Sequence, residues 1–86
     1  MDNNEYLDDL LNKKAGMIIR KEREKQELTL EQLSAKANVS KQNIYYYEIG
    51  RNRIKLDKYR KICEALNLNI VDVLEKIALE YIKLSK

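Results

Sequence analysis

Between Thr29 and Gly50 the chain carries two helix starts and two helix stops, and their spacing constrains the fold more than any other feature. Thr29 and Gln32 form a Thr-x-x-Gln capping box, in which the hydroxyl and the amide each satisfy an orphan backbone donor of a helix's first turn. The helix that it opens runs to about Ala37. Asn38 follows, and Asn accepts the left-handed backbone of a helix end better than other residues with a side chain. After Val39, Ser40 is the next N-cap, and a new helix runs from Lys41 to Glu48 or Ile49, closed by Gly50. Two short helices are thus joined by the tight turn Ala37-Asn38-Val39-Ser40.

The rest of the chain reads as helix too. It has no proline and two glycines, Gly16 and Gly50, so breakers are few, and strong helix formers fill the stretches between polar punctuation. The run Ile44–Tyr47 has strand-like residues, but it is short and lies inside a helical pattern. A first helix starts at the Asn3/Asn4 cap, with Glu5, Asp8 and Asp9 near the positive end of its dipole, and reaches about Gln26. Its apolar positions are Leu7, Leu10, Leu11, Met17, Ile18 and Ile19; whether it breaks at Gly16 is left open. A fourth helix carries Leu56, Tyr59, Ile62, Cys63 and Leu66 at three- and four-residue spacing. A fifth begins near Asn69 and carries Ile70, Val73, Leu74, Ile77, Ala78, Tyr81, Ile82 and Leu84. That arc is wider than one small core needs, so one edge packs on the domain and the remainder suits a partner helix. The expected dimer interface is Ile70, Leu74, Ile77, Tyr81 and Ile82. At 86 residues the chain is one all-α domain that buries about 60–65% of its surface on folding, and pairing would enlarge a small core.

Charge and composition then narrow the chemistry. The net charge of +3 conceals an asymmetry: residues 1–12 hold Asp2, Glu5, Asp8 and Asp9 with no basic residue, so the remainder carries +7. Between Ser40 and Lys61 seven basic residues (Lys41, Arg51, Arg53, Lys55, Lys58, Arg60, Lys61) face only Glu48 and Asp57, which points to a polyanionic partner. With no His and one Cys there is no His-based acid–base pair, no zinc cluster and no disulfide framework. No glycine-rich loop cradles phosphate, so an enzyme is not expected, nor a cofactor, metal or small-molecule substrate. Cys63, on the apolar face of the fourth helix, reads as an inert core thiol. The N-terminus lacks an apolar signal segment and no apolar run could span a bilayer, so the expected setting is the cytoplasm, with no membrane partner.

Two short helices about a tight turn have the spacing of a helix-turn-helix. The residues that carry it are Gly16-x-x-Ile19-Arg20-x-x-Arg23, Leu28-Thr29-x-x-Gln32-Leu33-Ser34, Val39-Ser40-x-x-Asn43-Ile44 and Glu48-x-Gly50, continuing through Leu56…Leu66 to Leu74. This pattern resembles the XRE family of helix-turn-helix regulators, which includes the lambdoid phage repressors, over residues 16–75 and without gaps. The resemblance implies a five-helix lambda-repressor-like DNA-binding domain whose helices 2 and 3 form the motif. The chain then divides into an acidic N-terminal helical extension (1–15), the helix-turn-helix domain (16–75) and a C-terminal helix (69–86) that continues from it as a dimerisation element.

Carried over residue by residue, the resemblance pairs Arg23 with Glu48 in an ion pair that ties the recognition helix to the body. It places Lys41, Gln42 and Tyr46 at base-contact positions, with Ile44 and Tyr47 turned inward. Lys can donate to guanine O6/N7, Gln can pair with adenine N6/N7, and an aromatic can lie against a thymine methyl. Ser40, Asn43, Arg51, Asn52 and Arg53 fall on phosphate-contacting positions, and Tyr45, pointing outward beside basic residues, reaches a phosphate through its hydroxyl. Five positions depart from the family pattern. Leu30 stands where many members have a phosphate-binding Gln, Asn38 replaces the turn Gly, and Ser34 replaces a small Ala. Glu22 occupies a commonly apolar site, and Ile54 replaces a Pro before the fourth helix. The function implied is a sequence-specific, homodimeric DNA-binding transcriptional regulator, a repressor, on double-stranded DNA of a bacterial or phage genome. The alternative is a protein-interaction module on the same fold, such as an antitoxin that neutralises a partner toxin.

Overall fold

Both caps that frame the Thr29–Gly50 window are formed. In the computed structural model, which describes residues 3–84 and side chains from Asp9 onward, Thr29 Oγ1 accepts from the Gln32 N–H at 3.0 Å. The Thr29 N–H donates to Gln32 Oε1 at 2.8 Å. This box starts α2 (Leu30–Ala37), and Asn38 ends it at φ 55°, ψ 42° with its N–H donated to the Ser34 carbonyl. Ser34, in place of the expected alanine, donates its hydroxyl to the Val39 carbonyl at 2.7 Å and so fastens the turn. Ser40 Oγ accepts from the Asn43 N–H at 3.1 Å and starts α3 (Lys41–Glu48), after which Gly50 reverses the chain at φ 73°.

Three further helices surround this pair: α1 (Asn3–Lys25), α4 (Leu56–Ala65) and α5 (Ile70–Leu84). α1 passes through Gly16 without a break. The expected Asn3/Asn4 cap and the carboxylates of Asp2, Glu5 and Asp8 lie outside the described side chains, as do residues 85–86 of the C-terminal segment. α1 and α4 end alike. Glu27 and Asn67 adopt positive φ (58° and 59°), and the Leu28 and Leu68 N–H groups reach back to the Arg23 and Cys63 carbonyls at 3.0 and 2.8 Å. Each end has the paired hydrogen bonds and apolar C″ residue of a Schellman motif. Asn69 Oδ1 accepts from the Val71 N–H at 2.8 Å and caps α5.

α1 lies across α3 and α5, α2 packs on α3 and α4, and α4 touches α5. Ile19, Leu33, Ile44, Tyr59, Ile62, Cys63 and Leu66 form the fully buried centre, with Val73 closing it from α5. Leu56 and Met17, assigned to apolar faces by their spacing, are instead exposed. Two polar links cross the core's edge. The Tyr59 hydroxyl donates to the Ala15 carbonyl at 2.9 Å, joining α4 to α1. Gln26 Nε2 donates to the Leu66 carbonyl at 2.7 Å and to Glu22 Oε2 at 2.9 Å, which gives the polar residue at position 22 a partner in place of an apolar contact. No described helix is long and apolar enough to cross a membrane.

Burial pushes the Cys63 thiol up to about 11 from its ordinary 9.0, and burial likewise raises the Tyr59 hydroxyl. Both groups therefore hold their protons to higher pH in the folded chain than in the unfolded one, so stability falls as pH climbs from about 9 toward 11. At neutral pH the native protein is expected to resist a maleimide, and to take up one equivalent once unfolded in guanidinium chloride. Mass spectrometry reads both states directly.

Candidate nucleic-acid interface

α3 is buried on one side and presented on the other. Ile44, Tyr47 and Glu48 face the interior, while Lys41, Gln42 and Tyr45 are exposed and Asn43 and Tyr46 are half-buried at its edges. Arg23 locks the inner side. Its Nε and Nη2 donate to Glu48 Oε2 and Oε1 at 2.8 and 3.0 Å, and its Nη1 donates to the Leu28 carbonyl at 2.8 Å. The Glu48 side chain is 3% exposed and that of Arg23 13%, so the fork is paired on both prongs away from water. Hydrogen bonding to Glu48, which outweighs burial, raises the guanidinium above its ordinary value and keeps it charged. α1 crosses α3 so closely at Gly16 that a Cβ there would collide with the Tyr47 carbonyl.

The outer side is a connected cluster rather than a row of separate contacts. Gln42 Nε2 donates to the Tyr46 hydroxyl at 2.9 Å. The Arg51 guanidinium lies 5.0 Å from the centre of the Tyr46 ring, within cation–π range. The Tyr45 and Tyr46 rings are 5.9 Å apart and tilted by 46°. This arrangement leaves Gln42 Oε1 and the Tyr46 hydroxyl proton unspent by their mutual bond, and side chains ordered in advance cost less to immobilise on binding. Lys41 Nζ pairs with Glu31 Oε1 at 3.1 Å on the open surface. An exposed pair of this kind is worth about 0–1 kcal/mol, so Lys41 can exchange it for guanine or phosphate. The spacing rules did not point to Glu31, because its contact depends on the angle between α2 and α3.

The residues placed on phosphate positions gather at the two ends of α3. Ser40 spends an oxygen lone pair on its cap and keeps a hydroxyl proton to donate. No acidic residue occupies the first turn, so the positive end of the helix dipole is uncompensated there. Beyond the other end, Arg51, Asn52 and Arg53 are exposed on the loop that leads to α4. α1 braces this loop. Asn12 Oδ1 accepts from the Ile54 N–H at 3.3 Å and the Lys13 side chain lies against Gly50. The donor at Ile54 is one that the proline of the family pattern would lack. Asn12→Ala is expected to weaken DNA binding about two- to tenfold, the range of one net hydrogen bond. Asn12→Asp should bind normally, and Ile54→Pro should restore the alanine variant; fluorescence anisotropy measures all three.

On α5 the expected interface residues divide. Leu74, Tyr81 and Ile82 are exposed, whereas Ile70 and Ile77 are half-buried and pack against the chain's own core. The helix is rotated so that Ile70, Val73 and Ile77 share the inward side, and Val71 (64% exposed) and Leu79 (55%) join the outward one. Beside Leu74 an apolar groove of about 170 Å³ runs between α1, α4 and α5, lined by Leu11, Ala15, Ile54, Leu56 and Ile77.

A short helix held rigidly from behind, reached through a capped turn and followed by a cationic loop, defines a helix-turn-helix DNA-binding domain. A family model described as Helix-turn-helix matches residues 19–78, and the chain belongs to this family, the XRE-type DNA-binding regulators. Two crystal structures of the clp gene regulator ClgR from Corynebacterium glutamicum are similar to it. One is 28% identical over 79% of this chain and 87% of its own, with a TM-score of 0.71; the other is 25% identical over 87% and 80%, with a TM-score of 0.73. No curated protein matches the chain at a significant level.

Proposed function

We propose that the protein is a sequence-specific transcriptional regulator that binds a pseudo-palindromic operator as a homodimer and represses by occluding it. One observation carries the reading: Lys41, Gln42, Tyr45 and Tyr46 share the outward side of a helix whose inner side is fixed by Ile44, Tyr47 and the Arg23–Glu48 pair. Each subunit lays α3 in a major groove, and two subunits read half-sites about 10 bp apart. Arg51, Asn52, Arg53 and the N-terminus of α3 set the register on phosphates. The exposed residues Val71, Leu74, Leu79, Tyr81 and Ile82 on α5 support pairing through that helix. The same residues also support a second reading, in which α5 receives a partner protein as in an antitoxin. Light scattering separates the two, a stable dimer of the isolated chain favouring the first.

The test is selection from a randomised DNA pool, followed by anisotropy at two salt concentrations. Enrichment of a palindrome is expected. Gln42→Ala should relax one base position per half-site, by about 1–3 kcal/mol of discrimination. Arg53→Ala should weaken all sites alike and lower the salt slope by about 0.9 per subunit. Binding that stays near roughly 10⁻⁴–10⁻⁶ M on every sequence would sink the operator reading.

A further inference from the structure

Gly16 and Arg23 lie on the side of α1 that meets α3. At about 100° per helical residue, Ile18, Lys21, Glu22 and Lys25 point nearly the opposite way, toward α5 and the turn that precedes it. Together with Leu68, Val73 and Lys76 they line a pocket of about 200 Å³. Its floor is apolar: Val73 is 3% exposed, and Ile18 and Leu68 are half-buried. Its rim is cationic. Among the described residues no carboxylate lies within ion-pairing distance of Lys21, Lys25 or Lys76. Glu22, the carboxylate in the wall, has one oxygen engaged by the Gln26 amide at 2.9 Å. That amide also donates to the Leu66 carbonyl at 2.7 Å, which ties the wall to the end of α4.

DNA held by α3 does not reach these lysines, because α1 stands between them and the recognition helix. The outward apolar residues of α5 do not cover them either, since Val73 and Lys76 turn away from the exposed Val71 and Ile82. Three ammonium groups above an apolar floor suit a molecule that is anionic at one end and apolar at the other. Sites for drug-sized ligands run to about 300–1,000 Å³, so this pocket takes a smaller one. We propose that it binds a small organic acid, an aromatic carboxylate. The ring rests on Ile18, Leu68 and Val73, and the carboxylate lies among Lys21, Lys25 and Lys76. Such a ligand bridges α1 and α5 from the side opposite DNA, so the acid and DNA are held at the same time.

The probe is 2-naphthoate, titrated into the ¹⁵N-labelled full chain and followed by amide chemical shifts. A dissociation constant of about 1 mM or tighter is expected, the level that ligands of this size reach. The shifts should centre on Ile18, Lys25, Leu68 and Val73 and spare α3. 2-Naphthamide, which keeps the rings and lacks the charge, should bind about tenfold more weakly, as should acetate, which keeps the charge and lacks the rings. Lys25→Gln/Lys76→Gln alters exposed side chains only and should weaken naphthoate about five- to tenfold. Lys25→Arg/Lys76→Arg should restore it, and neither variant should change the salt slope of DNA binding. Absent shifts, or shifts centred on α3 or on the outward side of α5, overturn the proposal. So does equal binding of the acid and its amide. A salt slope lowered by the glutamine variant assigns these lysines to DNA phosphates and overturns it as well. Each of these failures leaves the regulator reading standing, since that reading depends on selection from the DNA pool.

Discussion

Arg23→Met lowers the unfolding free energy by about 3–5 kcal/mol, the cost of leaving a buried carboxylate without its counter-charge. Glu48 is the carboxylate concerned. Its side chain is 3% exposed, and both of its oxygens accept from the same guanidinium. A domain of this size has about 5–15 kcal/mol to lose, so the single variant sits near the edge of folding. Urea denaturation measures the shift. The double variant Arg23→Met/Glu48→Leu should recover most of it, because removing both charges together is close to neutral. A single-variant loss below about 1 kcal/mol would show that the pair is not desolvated as its geometry requires. A large loss that the double variant fails to recover would instead assign the stabilisation to the bond from Arg23 to the Leu28 carbonyl.

Gly16→Ala is the second large effect, and its sign alone is informative. Gly16 lies inside α1, where alanine is favoured by about 1 kcal/mol on helix propensity. Propensity therefore predicts a more stable protein. Packing predicts the opposite, since the new methyl meets the Tyr47 carbonyl and the Glu48 backbone, atoms that cannot rotate away. Overpacking against backbone costs about 1–3 kcal/mol or more, so net destabilisation is expected and Gly16→Val should be worse. The displaced atoms belong to α3, so DNA affinity should fall in parallel with thermal stability. A stabilised Gly16→Ala variant would mean that the two helices are farther apart than described.

The sequence was most legible where the controlling chemistry is local. Thr29, Gln32, Asn38, Ser40 and Gly50 each act within a few residues of themselves, and the helices that they bound fall where their spacing predicts. The Schellman end at Glu27 was not legible, because glutamate is a poor occupant of positive φ and only the docking of Leu28 makes it worthwhile, whereas Asn67 carries the same local signal as Asn38. Periodicity located an apolar arc on α5 but could not set its rotation; contact with α1 and α4 turned Ile70 and Ile77 inward and left Val71 and Leu79 outside. Within the candidate site, the i, i+4 spacing of Gln42 and Tyr46 allowed their hydrogen bond, although the residue types alone read as two independent contacts. The Lys41–Glu31 pair and the Asn12–Ile54 brace join segments 10 and 42 residues apart. Only the assembled fold brings such partners together.

α3 is eight residues long, little more than two turns, and a helix of that length has no stability of its own in water. The reading surface therefore cannot outlast the core that supports it. Warming does not fray such a reader gradually; it withdraws whole molecules from the DNA as the domain unfolds cooperatively. Mass action couples the two events in the other direction as well, since DNA that binds only the folded form protects it from unfolding. Binding and folding are thus one linked equilibrium, and the DNA-bound protein is expected to unfold at a higher temperature than the free one.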